Sequence, residues 1–374
     1  KLRVGYGETG NDRIGNFTAR SLYGTTQYDG QGGTVPTRLG NDDLRWERNT
    51  TTNIGLDYSM LNRRIYGSVE VYRRISKDLL LTQPIPWVSG YAEISRNVGE
   101  VKNEGIEFEI NVNPVRSSRF NWTSGFNISF IKNRVTKLYG DLASLPGRAS
   151  IRVGYSLHTN FLNQYAGVNS ATGRPMWYAA DGSYSYRPGA QGSESYTLRD
   201  RGNRLSDYYG GWNNNFKYKS FQLDVLLHYD MGRELYNNMA RIMSRKGDVL
   251  VNGAVWYYDN RWTAPGQITS VPRPIDGATE LNALAADGSS TRFLEDASYI
   301  RLKHINFSYD IPSSFASRLK ISNARVFFQA LNVMTWTKWT GYDPEFYIDE
   351  SNFESNAGIV PQTRTYNLGV QFKF

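Results

Sequence analysis

The sequence predicts an all-β chain whose antiparallel strands cross a membrane. Three observations carry that prediction: apolar residues at every second position, links that alternate between long and short, and aromatic residues gathered near the strand ends. Each part of the chain bears on at least one of them.

The alternation is clearest in the closing stretch "RTYNLGVQFKF". There Tyr366, Leu368, Val370, Phe372 and Phe374 interleave with Asn367, Gly369, Gln371 and Lys373. A strict period of two gives a strand one apolar face and one polar face. The chain opens on "KLRVGYG", already in strand-like sequence. "TNIGLDYSM" then places Ile54, Leu56, Tyr58 and Met60 on one face, and "RIYGSVEVY" sets Ile65, Val69 and Val71 against Ser68 and Glu70. "GIEFEINV" sets Ile106, Phe108, Ile110 and Val112 against Glu107, Glu109 and Asn111. "FNWTSGFNISF", "GWNNNFKY", "FQLDVLLHYD", "INFSYDI" and "ARVFFQALNV" continue the pattern. No stretch with a helical period of similar quality interrupts them, so about ten strands are expected.

The links at 8–46, 82–100, 136–207, 232–298 and 335–362 are long, whereas those at 61–63, 113–119, 219–220 and 312–322 are short. A soluble sandwich has no reason to place every long link at one end. Barrels of bacterial outer membranes do so, with long loops outside and short turns in the periplasm. Tyr58, Trp122, Tyr218 and Tyr309 fall near the short turns, and Trp212, Tyr229, Tyr299 and Trp336 near the long loops, as two interfacial belts require.

Composition agrees. Among 374 residues are 26 Tyr, 17 Phe, 9 Trp and 35 Gly, a mixture that favours strands and turns. The mean hydropathy of −0.53 resembles that of a soluble protein, but alternation hides an apolar face in such an average. No run approaches the roughly 18 apolar residues of a spanning helix. Cysteine is absent, which removes disulfides, thiol catalysis and cysteine metal sites. The formal charge is +8, yet the cations are interleaved with 35 acids rather than clustered, so nucleic acid is not an expected partner.

Few motifs point to chemistry. "GYGETG" matches a dinucleotide fingerprint at Gly5, Gly7 and Gly10, but it leads into polar loop sequence rather than a helix and reads as a strand end. His158, His228 and His304 stand apart, at no metal-ligand spacing. Asp42 and Asp43 would face opposite ways on a strand, which makes them poor acid/base partners. No catalytic constellation emerges, and an enzyme is not expected. "GYDPEFYIDESNFE" gathers Asp343, Glu345, Asp349, Glu350 and Glu354, a loop that could hold calcium although it lacks the spacing of a known calcium loop. The long links are rich in flat rings. Trp87, Tyr91, Trp177, Tyr178, Trp256, Tyr257 and Trp262 are the candidate substrate contacts, since such rings suit sugar stacking and peptide clamping alike.

Five blocks in order resemble a known family: "LGNDDLRWERNTTTNIGLDYSMLNRR", "NVGEVKNEGIEFEINV", "FNWTSGFNISFIKNRV", "YIRLKHINFSYDIP" and "ALNVMTWTKWTGYDPEF". They look like the C-terminal barrel of SusC/RagA-type TonB-dependent transporters of Bacteroidetes outer membranes. The resemblance implies TonB-powered import of bulky nutrients, glycan oligomers or peptides, with a SusD-like lipoprotein over the extracellular mouth; apart from calcium in the acidic loop, no cofactor is expected. It also implies a plugged barrel of about 22 strands. Residues 1–374 are therefore expected to be the C-terminal portion of that barrel, with the plug, the N-terminal strands and the TonB contact outside them. Three alternatives share parts of the pattern. They are a receptor for a metal chelate or cobalamin, a small barrel acting as adhesin or structural protein, and a soluble all-β glycan hydrolase, which would need an acid pair in a cleft.

Overall fold

The computed structural model describes residues 1–12, 16–91, 93–145, 148–179, 181–186, 197–244, 252–274, 290–316, 321–345 and 360–373. The chain divides into two compact units, one of residues 1–116 and 122–159, the other of residues 117–121 and 160–374. Each contributes five long strands.

In the first unit these are β1 (Leu2–Asn11), β2 (Glu47–Met60), β3 (Ile65–Lys77), β4 (Gly99–Arg116) and β5 (Phe120–Leu138), hydrogen-bonded in that order. In the second they are β6 (Tyr208–Tyr218), β7 (Phe221–Met231), β8 (Tyr299–Ile311), β9 (Asn323–Thr337) and β10 (Thr365–Lys373), again side by side in chain order. Neighbouring strands such as β1–β2 and β9–β10 are antiparallel. A tilted strand needs about 9–11 residues to cross a bilayer, and nearly all of these have at least that.

The faces separate as the alternation predicts. Val4, Ile54, Val71 and Ile106 line up across β1 to β4, all exposed on one side of the sheet. In the second unit Leu223, Phe307, Phe328 and Leu368 form the equivalent row. Large apolar side chains facing outward in register suit a hydrocarbon solvent. The opposite face is polar. Arg3 pairs with Asp57 at 2.9 Å and with Glu70 at 3.2 Å. Arg325 pairs with Asp310 at 2.6 Å, and Asn215 donates to Asp224.

The short turns are tight. Leu61, Asn62 and Arg63 all adopt positive φ in the four-residue link between β2 and β3, and Lys219 does so (φ 51°) at the first position of the two-residue turn between β6 and β7, as a primed hairpin turn requires. Gly67 is demanded by sterics: a Cβ there would lie 1.9 Å from the Glu109 carbonyl oxygen. The Tyr58 ring crosses this glycine, and its hydroxyl donates to that same oxygen at 2.8 Å.

Several expectations change in detail. The strand carrying "GYGETG" runs through Gly5, Gly7 and Gly10 to Asn11, so the first long link begins later than residue 8. The turn expected over 113–119 shrinks to 117–119 because β4 continues to Arg116. Nor are the long links irregular. Hairpins form at Leu22–Tyr28 with Gln31–Arg38 and at Leu80–Pro84 with Glu93–Asn97, and short helices α1 (Asn238–Met243) and α2 (Val255–Asn260) sit in the link between β7 and β8. Their periodicity spans too few residues to stand out in sequence. Tyr218, Phe221 and Tyr309 do share one outward row near the short turns. Tyr299 leaves its expected belt: it is buried and faces the polar side, its hydroxyl 3.2 Å from His228 Nδ1.

Candidate functional site

The buried apolar residues of the described structure lie chiefly in and beside the long links. One cluster joins Leu162, Tyr236, Phe293 and Leu294; another joins Ala254, Tyr257 and Val271, with Met243 packed on it. Between them, in the second unit, lies a cavity of about 690 Å³. Its walls come from all three long links of that unit: Tyr165 from the first, Met239, Met243, Trp256, Arg292 and Phe293 from the second, and Thr340, Gly341 and Tyr342 from the third.

Asn237 holds these segments together. Fully buried, it caps α1 by accepting from the Ala240 N–H at 2.9 Å. Its amide donates to Glu295 Oε1 at 2.9 Å and to Thr340 Oγ1 at 3.0 Å. The Glu295 carboxylate also accepts from the backbone N–H of Thr340 at 2.9 Å. This acid is thus occupied by structure. On the far wall Tyr165 donates to the Ser270 carbonyl at 2.9 Å, and the Arg292 guanidinium lies over the rings of Tyr165 and Phe293. The result is a concave surface of aromatic faces, two flexible thioethers and a guanidinium, suited to binding and orienting a ligand.

The third link is anchored from below. Arg301, on the polar face of β8, donates to Asp343 at 2.5 Å and to Glu345 at 2.6 Å. Lys303 adds a contact to Glu345 at 2.5 Å and one to Gln362 at 3.1 Å. Lys303 lies two residues beyond Arg301 and so shares its polar face, just before the point where β8 carries one residue more than β7, between Leu302 and His304. The Arg301 and Asp343 side chains are only 3% and 6% exposed.

The sequence-predicted contacts divide. Trp256 lines the cavity and is 43% exposed. Trp177 is 1% exposed, its ring edge-on behind Tyr165 at 6.1 Å, and Tyr257 is buried in the Ala254 cluster; both rings are spent on packing the links. Tyr178 packs on Tyr184, and Trp262 covers Gly173 while its Nε1 donates to the Ser170 carbonyl at 2.9 Å. Trp87 and Tyr91 belong to the first unit, Trp87 in a 3-10 turn, Trp87–Ser89. A hydrogen bond with Tyr23 pushes the Tyr91 hydroxyl above the usual phenol range. In the acid-rich stretch Asp343 and Glu345 pair with Arg301 and Lys303, while Asp349, Glu350 and Glu354 lie outside the described residues. Sequence reading missed Tyr165, Met239, Met243, Arg292 and Tyr342. Only the aromatic tyrosines carried any signal there.

Comparison with known proteins follows the same line. The family model described as TonB dependent receptor-like, beta-barrel matches residues 1–241. TonB-dependent receptor P3 of Formosa agariphila is 30% identical over all of this chain and 39% of its own length. TonB-dependent receptor SusC of Bacteroides thetaiotaomicron is 26% identical, over all of this chain and 37% of its own. A chain of the solved RagAB peptide transporter superposes with a TM-score of 0.79 at 27% identity, covering the whole of this chain and 40% of that one. The chain therefore spans about two fifths of the length of the relatives it matches. These relatives are receptors and transporters rather than enzymes. With its outward apolar rows, its polar inner face and its long links at one end, the chain belongs to the TonB-dependent receptor β-barrel family and is part of an outer-membrane barrel related to SusC and RagA.

Proposed function

We propose that the chain is the wall and part of the mouth of a TonB-dependent importer of bulky nutrients, oligosaccharides or peptides, which works under a SusD-like surface lipoprotein. The observation that carries this reading is the cavity built by three extracellular links, with Trp256 and Tyr342 (60% exposed) offering flat faces beside Met239, Met243 and Arg292. Flat rings bind sugar faces and peptide side chains at little entropic cost, and thioethers adapt to varied shapes. Glu295, the carboxylate of the cavity wall, is held by Asn237 and Thr340, which suits binding rather than acid/base chemistry. SusC and the RagAB peptide transporter are the named relatives whose kind of cargo and assembly the proposal extends to this chain.

The test uses the full-length transporter, binding maltooligosaccharides in one titration and mixed tryptic peptides in another. Truncating two central aromatics, Trp256→Ala with Tyr342→Ala, should weaken the class that binds by about 30-fold, the loss of about 2 kcal/mol expected of a hot spot. Binding of neither class, or equal affinity in the variant, would overturn the reading.

A further inference from the structure

We propose that the outward face of the first unit carries, at its extracellular end, a docking site for a phosphorylated lipid of the outer leaflet. The registers define the place row by row. Ile54, Val71 and Ile106 stand side by side and, with Phe130, line a depression of about 510 Å³ on the apolar face. One row nearer the long links the pattern changes to Thr52, Arg73 and Glu104, and the next row is Thr50, Ile75 and Lys102. From β5 come Lys132 and Arg134. They share the outward face because Asn133 between them points inward, donating to Asn103 Oδ1 at 2.7 Å. Lys132 also lines the depression.

The charges do not cancel. Arg73 and Lys102 both reach Glu104, at 2.7 and 2.9 Å. Among the described residues Lys132 and Arg134 have no ion-pair partner. On β3 to β5 four cations thus share one carboxylate where the apolar band ends; the other acid of these rows, Glu8 at the β1 end of the Thr50 row, accepts from the hydroxyls of Tyr6 and Thr50. Higher on the strands the balance is restored, since Arg48 pairs with Asp78 and Lys77 with Glu100. The excess is local to the rows that meet the lipid headgroups.

The occupant follows from this order. β4 and β5 have 18 and 19 residues, more than a bilayer needs, so their upper halves rise through the headgroup layer of the outer leaflet. An acyl chain fits the Ile54–Phe130 depression, and a phosphate one row above meets Arg73, Lys132 and Arg134. A soluble nutrient has no access to this side of the wall.

The experiment uses the full-length protein in detergent and native mass spectrometry, with diphosphorylated lipid A as probe. Dephosphorylated lipid A and inorganic phosphate serve as comparison ligands. The variant is Lys132→Gln with Arg134→Gln, and Lys217→Gln in the second unit is the control. Heat-modifiable migration shows that each variant is folded. At about 1 kcal/mol per interfacial cation, the double variant should bind lipid A about 30-fold more weakly. The control should bind as the parent does, and removal of the phosphates should erase the difference between parent and variant. Equal affinity of parent and double variant, equal affinity of the parent for both lipids, or full competition by inorganic phosphate would each overturn the proposal.

Discussion

Replacing Arg301 with methionine removes the cation that two acids of the last long link converge on. Its partner Asp343 is 6% exposed and would keep only the backbone N–H groups of Glu345 and Gln362, at 2.9 and 3.2 Å. Glu345, 21% exposed, would still have Lys303 at 2.5 Å. Stranding one member of a buried pair costs about 3–5 kcal/mol. Lys303→Gln removes a 30% exposed partner and should cost about 1 kcal/mol or less. The loss is local, because the anchored segment is a link and the ladders of β7 to β9 do not depend on it. Hydrogen exchange is therefore the assay: amides of residues 340–345 should exchange about 100-fold faster or more in Arg301→Met, by conversion of about 3 kcal/mol, while β8 keeps its protection. The combined variant Arg301→Met, Asp343→Asn, Glu345→Gln should recover much of that protection, since no charge is then left buried alone. Unchanged exchange at 340–345 in Arg301→Met, or a triple variant worse than the single, would refute the argument. Because Thr340, Gly341 and Tyr342 form one wall of the cavity, the same variant should also weaken cargo binding.

Other outcomes follow from the same geometry. Surface protease on intact cells should cut within 136–206 or 232–297 and spare 117–119; cleavage at the latter would reverse the topology. Val225 shares an outward row with Ile305, so Val225→Arg should cost about 2–4 kcal/mol of folding stability near the bilayer midplane, whereas Asn306→Arg on the polar face should cost far less. Equal urea midpoints for the two would invert the faces. Gly67→Ala forces a Cβ against the Glu109 carbonyl and should destabilise by about 1–3 kcal/mol, while Tyr58→Phe loses one hydrogen bond, about 1 kcal/mol, in the same unfolding titration.

The sequence by itself determined the strands, their faces and their connections. Alternation such as Tyr366, Leu368, Val370 is a local property of a strand between two unlike solvents, so it survives in a list of residues and fixes which side meets lipid. Link lengths are counted directly, and the turn at 219–220 and the link 232–298 fall where the counting put them. What the loops do was decided by tertiary structure. Trp177 and Trp256 look alike in sequence, both aromatic members of long links, yet one is buried behind Tyr165 and the other opens on the cavity, because burial depends on neighbours far away in the chain. Asp343 and Glu345 read as an acidic loop until the fold lays that loop over the polar side of β8, where Arg301 and Lys303, some forty residues earlier, meet them. The slip in β8 shows in sequence only as a change of outward parity, from Ile300 to Phe307, and only the folded chain reveals which distant acids the cations of its polar side meet.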